Sequence, residues 1–135
     1  MTIRFIAHFA PLVALFILLS GCGGMMKVQG KVIPGAISYV GVVDQTDPRL
    51  AQLGIGGVAI RIDATPVAGG NSTTIVSTTS AADGSFKASI ADDVWPSDRV
   101  QIRAMLDGYA AARGSVYLPR EGQTLLILME RTAAD

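Results

Sequence analysis

The chain holds one cysteine, Cys22, and one histidine, His8. A thiol beside an imidazole could run nucleophilic catalysis, and the two together are common zinc ligands. Their position argues against both uses. Arg4 precedes an apolar run from Phe5 to Leu19, which stops at Ser20-Gly21. Basic, then apolar, then small is the order of a secretory signal, so residues 1–21 are expected to be a signal helix that is cut away, taking His8 with it. What remains has no imidazole. That excludes Ser-His and Cys-His chemistry, and the sequence predicts neither an enzyme nor a cofactor nor a metal centre.

The other candidate groups have plainer uses. Asp92, Asp93 and Asp98, or Asp44 with Asp47, could offer oxygen ligands to calcium. Their spacing matches no defined calcium loop, and loop aspartates commonly make turns or caps. Gly54-Ile55-Gly56-Gly57 has the composition of a phosphate cradle but leads into a strand, whereas a cradle needs a helix N-terminus. Trp95, followed by Pro96, is the binding candidate. It could stack on a sugar ring or anchor a partner, although a lone Trp beside a strand more often caps the core. Tyr109, after Gly108, is expected at a corner with its hydroxyl on backbone.

Leu19-Ser20-Gly21-Cys22 resembles the lipobox of bacterial lipoproteins, in which a Leu, a small residue and Gly or Ala precede an invariant Cys. The resemblance implies cleavage between Gly21 and Cys22 and a covalent lipid on Cys22. An uncleaved spanning helix is the alternative, but such a helix needs about 20 apolar residues, and this run is shorter and interrupted by His8 and Pro11. Two acyl chains suffice for stable anchoring without help from the protein surface. Gly23, rather than Asp, follows Cys22, which points to the outer membrane over the inner membrane. Residues 22–26 form the lipidated tether, since strand-like sequence starts at Met26 or Lys27. At roughly 3.5 Å per residue that spacer reaches on the order of 15 Å. Loss of Arg4 leaves the remainder within one charge of neutral, with no basic run, so nucleic acid is not an expected partner.

The elements that must position any site are strands. Apolar residues alternate at Val28 and Val32, at Val58, Ile60 and Ile62, at Phe86, Ala88 and Ile90, at Val100, Ile102 and Ala104, and at Leu125, Ile127 and Met129. Ile37–Val43, the β-branched stretch Thr73–Thr79, and Val116 with Leu118 add further candidates. Asp83-Gly84 predicts a tight turn. Asp47 and Pro48 predict the start of a short helix over Asp47–Leu53, with Gly54 ending it.

Read in order, Val28-x-Gly30-x-Val32, Gly57-Val58-x-Ile60, Thr79 to Phe86 around Asp83-Gly84, Val100-x-Ile102-x-Ala104, Gly108-Tyr109 and Val116-x-Leu118 resemble the carboxypeptidase regulatory-like domain. That family implies an all-β, transthyretin-like (prealbumin-like) Greek-key sandwich of about seven antiparallel strands over residues 27–131, with 132–135 as a tail. Residues 35–53 are longer than the family usually has at that place. The enzymatic branch of this fold, the hydroxyisourate hydrolases, needs histidines and a terminal Tyr-Arg-Gly-Ser. Here Arg113-Gly114-Ser115 is interior, and the last residues run Glu130 to Asp135. The expected role is therefore a non-enzymatic, membrane-anchored binding module for an envelope protein, with a glycan as the alternative ligand.

Overall fold

The structure, a computed structural model, describes residues 25–64, 73–91 and 99–133. Eight strands follow in order: β1 (Met25–Pro34), β2 (Tyr39–Asp44), β3 (Ala59–Ala64), β4 (Thr73–Thr79), β5 (Ser85–Ala91), β6 (Val100–Met105), β7 (Ala112–Val116) and β8 (Gln123–Met129). They form two four-stranded sheets, β2-β8-β1-β5 and β4-β3-β6-β7. β2 lies beside β7 at one edge of the sandwich and β5 beside β4 at the other. The chain changes sheet after β2, β4, β5 and β7, so neither sheet can be completed from one continuous stretch of sequence.

The expected alternation is what fills the space between the sheets. Val28 and Val32, Ile60 and Ile62, Phe86, Ala88 and Ile90, Val100, Ile102 and Ala104, and Leu125, Ile127 and Met129 form one buried cluster. Gly30 interrupts the β1 pattern for a steric reason. It stands directly opposite Phe86, and the Phe86 ring lies over its Cα, in the space that a Cβ would need. The missing side chain on one strand makes room for the large one on the next. Ile33 and Leu126 are also fully buried but stand outside this cluster.

Three expectations change. The described residues form eight strands where about seven were expected, and β2 arises within residues 35–53, on the candidate stretch Ile37–Val43. β1 begins at Met25, inside the stretch read as tether. The sheets are not wholly antiparallel either: β1 and β8 run parallel, Gly30 opposite Leu125 through Pro34 opposite Met129. Alternating hydrophobicity reports which face is buried and carries no information on the direction of the neighbour.

The Asp83-Gly84 turn forms as expected, with Gly84 at φ 88°. Gly84 N–H donates to the Ala81 carbonyl at 2.8 Å, and Asp83 Oδ1 accepts from Ser85 N–H at 3.0 Å and from the Ser85 hydroxyl at 2.6 Å. Its strands do not pair as a hairpin, because β4 and β5 belong to different sheets. The turn is a corner between layers, and it is pinned to β1: Val32 N–H donates to the Gly84 carbonyl at 2.8 Å, and the Val32 carbonyl accepts from Ile55 N–H at 2.9 Å. Gly54 and Gly84 meet there with nothing between their Cα atoms, since a Cβ on Gly84 would fall 2.5 Å from Gly54 Cα. Gly54 thus serves a close approach rather than a helix end. The helix is a single 3-10 turn, Pro48–Ala51, capped by Asp47 and ended at Gln52, whose N–H donates to the Arg49 carbonyl. Ser80, buried beside it, ties the next loop down. Its hydroxyl donates to the Ile55 carbonyl at 2.7 Å and accepts from Val58 N–H at 2.9 Å.

Candidate functional site

Gly21, Cys22, Trp95, Asp92, Asp93 and Asp98 lie outside the described residues. Of the other predicted groups, Asp47 is committed to its cap. Arg49 donates through Nε at 3.1 Å and Nη2 at 2.9 Å to its carboxylate. With the backbone N–H of Arg49, this holds the Asp47 pKa at about 2. Asp83 is likewise lowered, by its bonds from Ser85. Tyr109 sits at its corner but its hydroxyl does not go to backbone. It accepts from Arg131 Nη2 at 3.4 Å, under a guanidinium 5.7 Å from the ring centre. Arg131 reaches it because the two residues form an isolated antiparallel bridge. Among the described residues no cluster of His, Cys, Asp and Glu is built to hold a metal ion.

Among the described residues a cleft of about 660 Å³ opens where the edges of β2 and β7 meet. Gly114 lets β7 approach β2 closely, since a Cβ there would stand 2.9 Å from Val40 Cβ. Beyond that contact the strands separate. Val42, Val116 and Leu118 line the opening, with Arg99, Arg120 and Gln123 around it. Two tyrosines, Tyr39 and Tyr117, stand in it at 47 % and 64 % exposure. The Tyr39 ring lies along its own strand over Gly41, where any side chain would collide with it. Arg99 lies over the Tyr117 ring at 5.4 Å and donates to the Ser115 carbonyl at 2.6 Å. Aromatic and arginine side chains on an apolar floor are the composition of interface centres.

Ser115 joins this cleft to a second surface, the outer face of the β4-β3-β6-β7 sheet. Register places Arg61 opposite Arg103, and Arg103 opposite Arg113, on three successive strands. Like charges directly opposite on one face destabilise a sheet. The adjacent row is Asp63, Gln101 and Ser115. Asp63 is buried, 5 % exposed, and Oδ2 accepts from Arg61 Nε at 3.2 Å. Oδ1 is equally near that nitrogen but off its N–H direction, and has no hydrogen-bond donor among the described residues. Leaving such an atom unsatisfied costs about 1–3 kcal/mol. Asp63 therefore neutralises Arg61. Arg103 and Arg113 make no hydrogen bond or ion pair among the described residues, and they border a shallow depression of about 310 Å³ with Asp63, Gln101 and Ser115.

No sequence run announces this surface. Arg61, Arg103 and Arg113 are far apart along the chain, and only strand register brings them into one row. The visible signal was the outward phase of Arg61 and Arg103 within their strands.

Known proteins do not decide the matter. No family model and no curated protein matches this chain. Among the described residues no helix is long and apolar enough to cross a membrane.

Proposed function

We propose that this chain is a non-enzymatic lipoprotein, held in the membrane by lipid on Cys22 and sorted to the outer membrane, whose sandwich docks a partner protein of the cell envelope. The observation that carries the docking is the cleft between the edges of β2 and β7, which pair with no further strand among the described residues. An extended segment of a partner can pair with an unpaired edge while its side chains enter the groove. Tyr39, Tyr117 and Arg99 supply the anchor types that dominate binding energy. The lipobox resemblance supports the anchor. With β1 starting at Met25, only Gly23 and Gly24 separate Cys22 from folded protein, a reach on the order of 10 Å.

A photoreactive residue in place of Tyr117, in intact cells, should give one adduct of defined mass, weakened by Tyr39→Ala. An adduct of the same yield and mass from a probe at Ser89, on β5 at the opposite edge of the sandwich, would sink the docking site.

A second reading, a glycan-binding module, is favoured by the two exposed tyrosine rings in one cleft and by the polar, cationic face that continues from it. Aromatic rings stack on sugar faces, and arginine, glutamine and serine can bond hydroxyl and acid groups.

A further inference from the structure

We propose that the depression on the outer face of the β4-β3-β6-β7 sheet binds an acidic sugar unit of a polysaccharide, with its acid group on Arg103 and Arg113; this rests on the glycan reading above and names its ligand class. Three observations converge on it. First, Arg103 and Arg113 face each other on neighbouring strands, at the ~5 Å spacing of opposed residues. Two arginine side chains rooted that close can bring their planar guanidinium forks onto one carboxylate. They lack carboxylate partners among the described residues, whereas Arg61 beside them has Asp63.

Second, the remaining walls suit a polyol. Gln101 and Ser115 occupy the next register row, and their amide and hydroxyl groups both donate and accept. At about 310 Å³, the depression stands at the small end of ligand sites, which run from ~300 to 1,000 Å³. That is room for one sugar-sized unit.

Third, Asp63, which accepts from Arg61 Nε, places a carboxylate along one side of the depression. A ligand made only of anionic oxygens meets repulsion at that wall. A ligand that carries hydroxyls beside a single acid group presents less negative charge to it. Two arginines without carboxylate partners among the described residues, beside one acidic wall, thus select a hydroxyl-rich monoacid over a bare polyanion.

The test uses the full lipidated chain in detergent micelles, titrated with polygalacturonate, neutral dextran, inorganic polyphosphate and phosphatidylglycerol vesicles. Polygalacturonate should bind and weaken as salt rises, because exposed charges are screened beyond ~10 Å at 0.1 M. Arg103→Gln and Arg113→Gln should each weaken it at least tenfold, and Arg103→Lys by less. Circular dichroism of the variants should match the parent and Tm should not fall, because neither side chain bonds to the described residues and the loss of a charge relieves like-charge repulsion in the row. Polyphosphate or vesicle binding as tight as polygalacturonate, and equally sensitive to Arg103→Gln, would overturn the acidic-sugar assignment in favour of a general anion surface. Polygalacturonate binding that ignores both glutamine variants would overturn it too, as would dextran binding of equal strength; either result leaves the glycan reading standing. No binding to either polysaccharide would refute the site and the glycan reading together.

Discussion

Gly84→Ala separates two costs that usually come mixed, and the structure supplies its own control. Gly84 and Gly108 both stand at φ 88°. A left-handed backbone costs an L-residue about 1–2 kcal/mol, so this penalty is common to Gly84→Ala and Gly108→Ala. At Gly108 a new Cβ meets nothing within 4 Å, and the penalty ends there. At Gly84 the Cβ falls on the Val32 carbonyl and 2.5 Å from Gly54 Cα, all of it backbone that cannot step aside. Overpacking of this kind costs about 1–3 kcal/mol more. Gly84→Ala should therefore lose about 2–5 kcal/mol and Gly108→Ala about 1–2. For a domain of this size 1 kcal/mol corresponds to a Tm change of about 4 °C. Thermal melts of the two variants, backed by urea titrations, should place Gly84→Ala lower by about 4–12 °C. Equal melting temperatures would refute the claim that β1, the Gly54 loop and the Gly84 corner are held at backbone contact.

Other substitutions probe other links. Ser80→Ala removes two buried hydrogen bonds and strands the Val58 N–H and the Ile55 carbonyl, so it should cost about 1–3 kcal/mol and speed exchange of the Val58 amide. Unchanged exchange would show that the loop is fixed by something else. Asp47 has a folded pKa of about 2 against its ordinary 3.8. Its contribution to stability is present above about pH 4 and disappears as pH falls through about 2, so NMR should find its carboxyl midpoint near 2 and Asp47→Asn should flatten that part of the acid limb. A midpoint near 3.8 would show that the Arg49 contacts do not persist in solution. Phe86→Ala should destabilise by about 3–5 kcal/mol, read from chemical denaturation, and a loss below 1 kcal/mol would mean the ring does not fill the space over Gly30. Cys22→Ser should leave the chain unacylated, with a mobility shift from the parent; membrane partition unchanged together with no mobility shift would refute the lipid anchor.

Alternation made most strands legible, because a strand buried on one face writes its phase into the sequence at every second residue. β3, β5, β6 and β8 were visible for this reason. The register irregularity between Ile62 and Asp63, where Val76 and Thr74 are the successive partners on β4, left no such mark, since it depends on the pairing rather than on either strand alone. The parallel alignment of β1 and β8 was hidden for the same cause. Asp83-Gly84 announced a turn, yet could not say that the flanking strands diverge into separate layers. Pro48 after Asp47 gave the helix start, while its end was misplaced at Gly54 because a glycine needed for close approach looks, in sequence, like one needed for a cap. The arginine row was the least legible feature. Charge opposite charge across three strands is a property of register, and a sequence scanned for basic runs shows only isolated residues in otherwise ordinary strands.

The parallel pairing of β1 and β8 has a mechanical meaning if, as proposed, lipid on Cys22 holds the chain by its first residues. Tension between a membrane anchor at Cys22 and anything gripped at the sandwich edge enters the domain along β1. That strand lies inside its sheet, laced to β5 from Met25 to Lys31 and to β8 from Gly30 to Pro34. A pull along its axis must slide many hydrogen bonds at once on both flanks, instead of opening them one after another as a peeled edge would. The load path thus runs through the strand best placed to resist shear, and its far end is clamped to the last strand of the chain. With such an anchor, a domain built this way would be tugged along β1 without unravelling from the end that is tied.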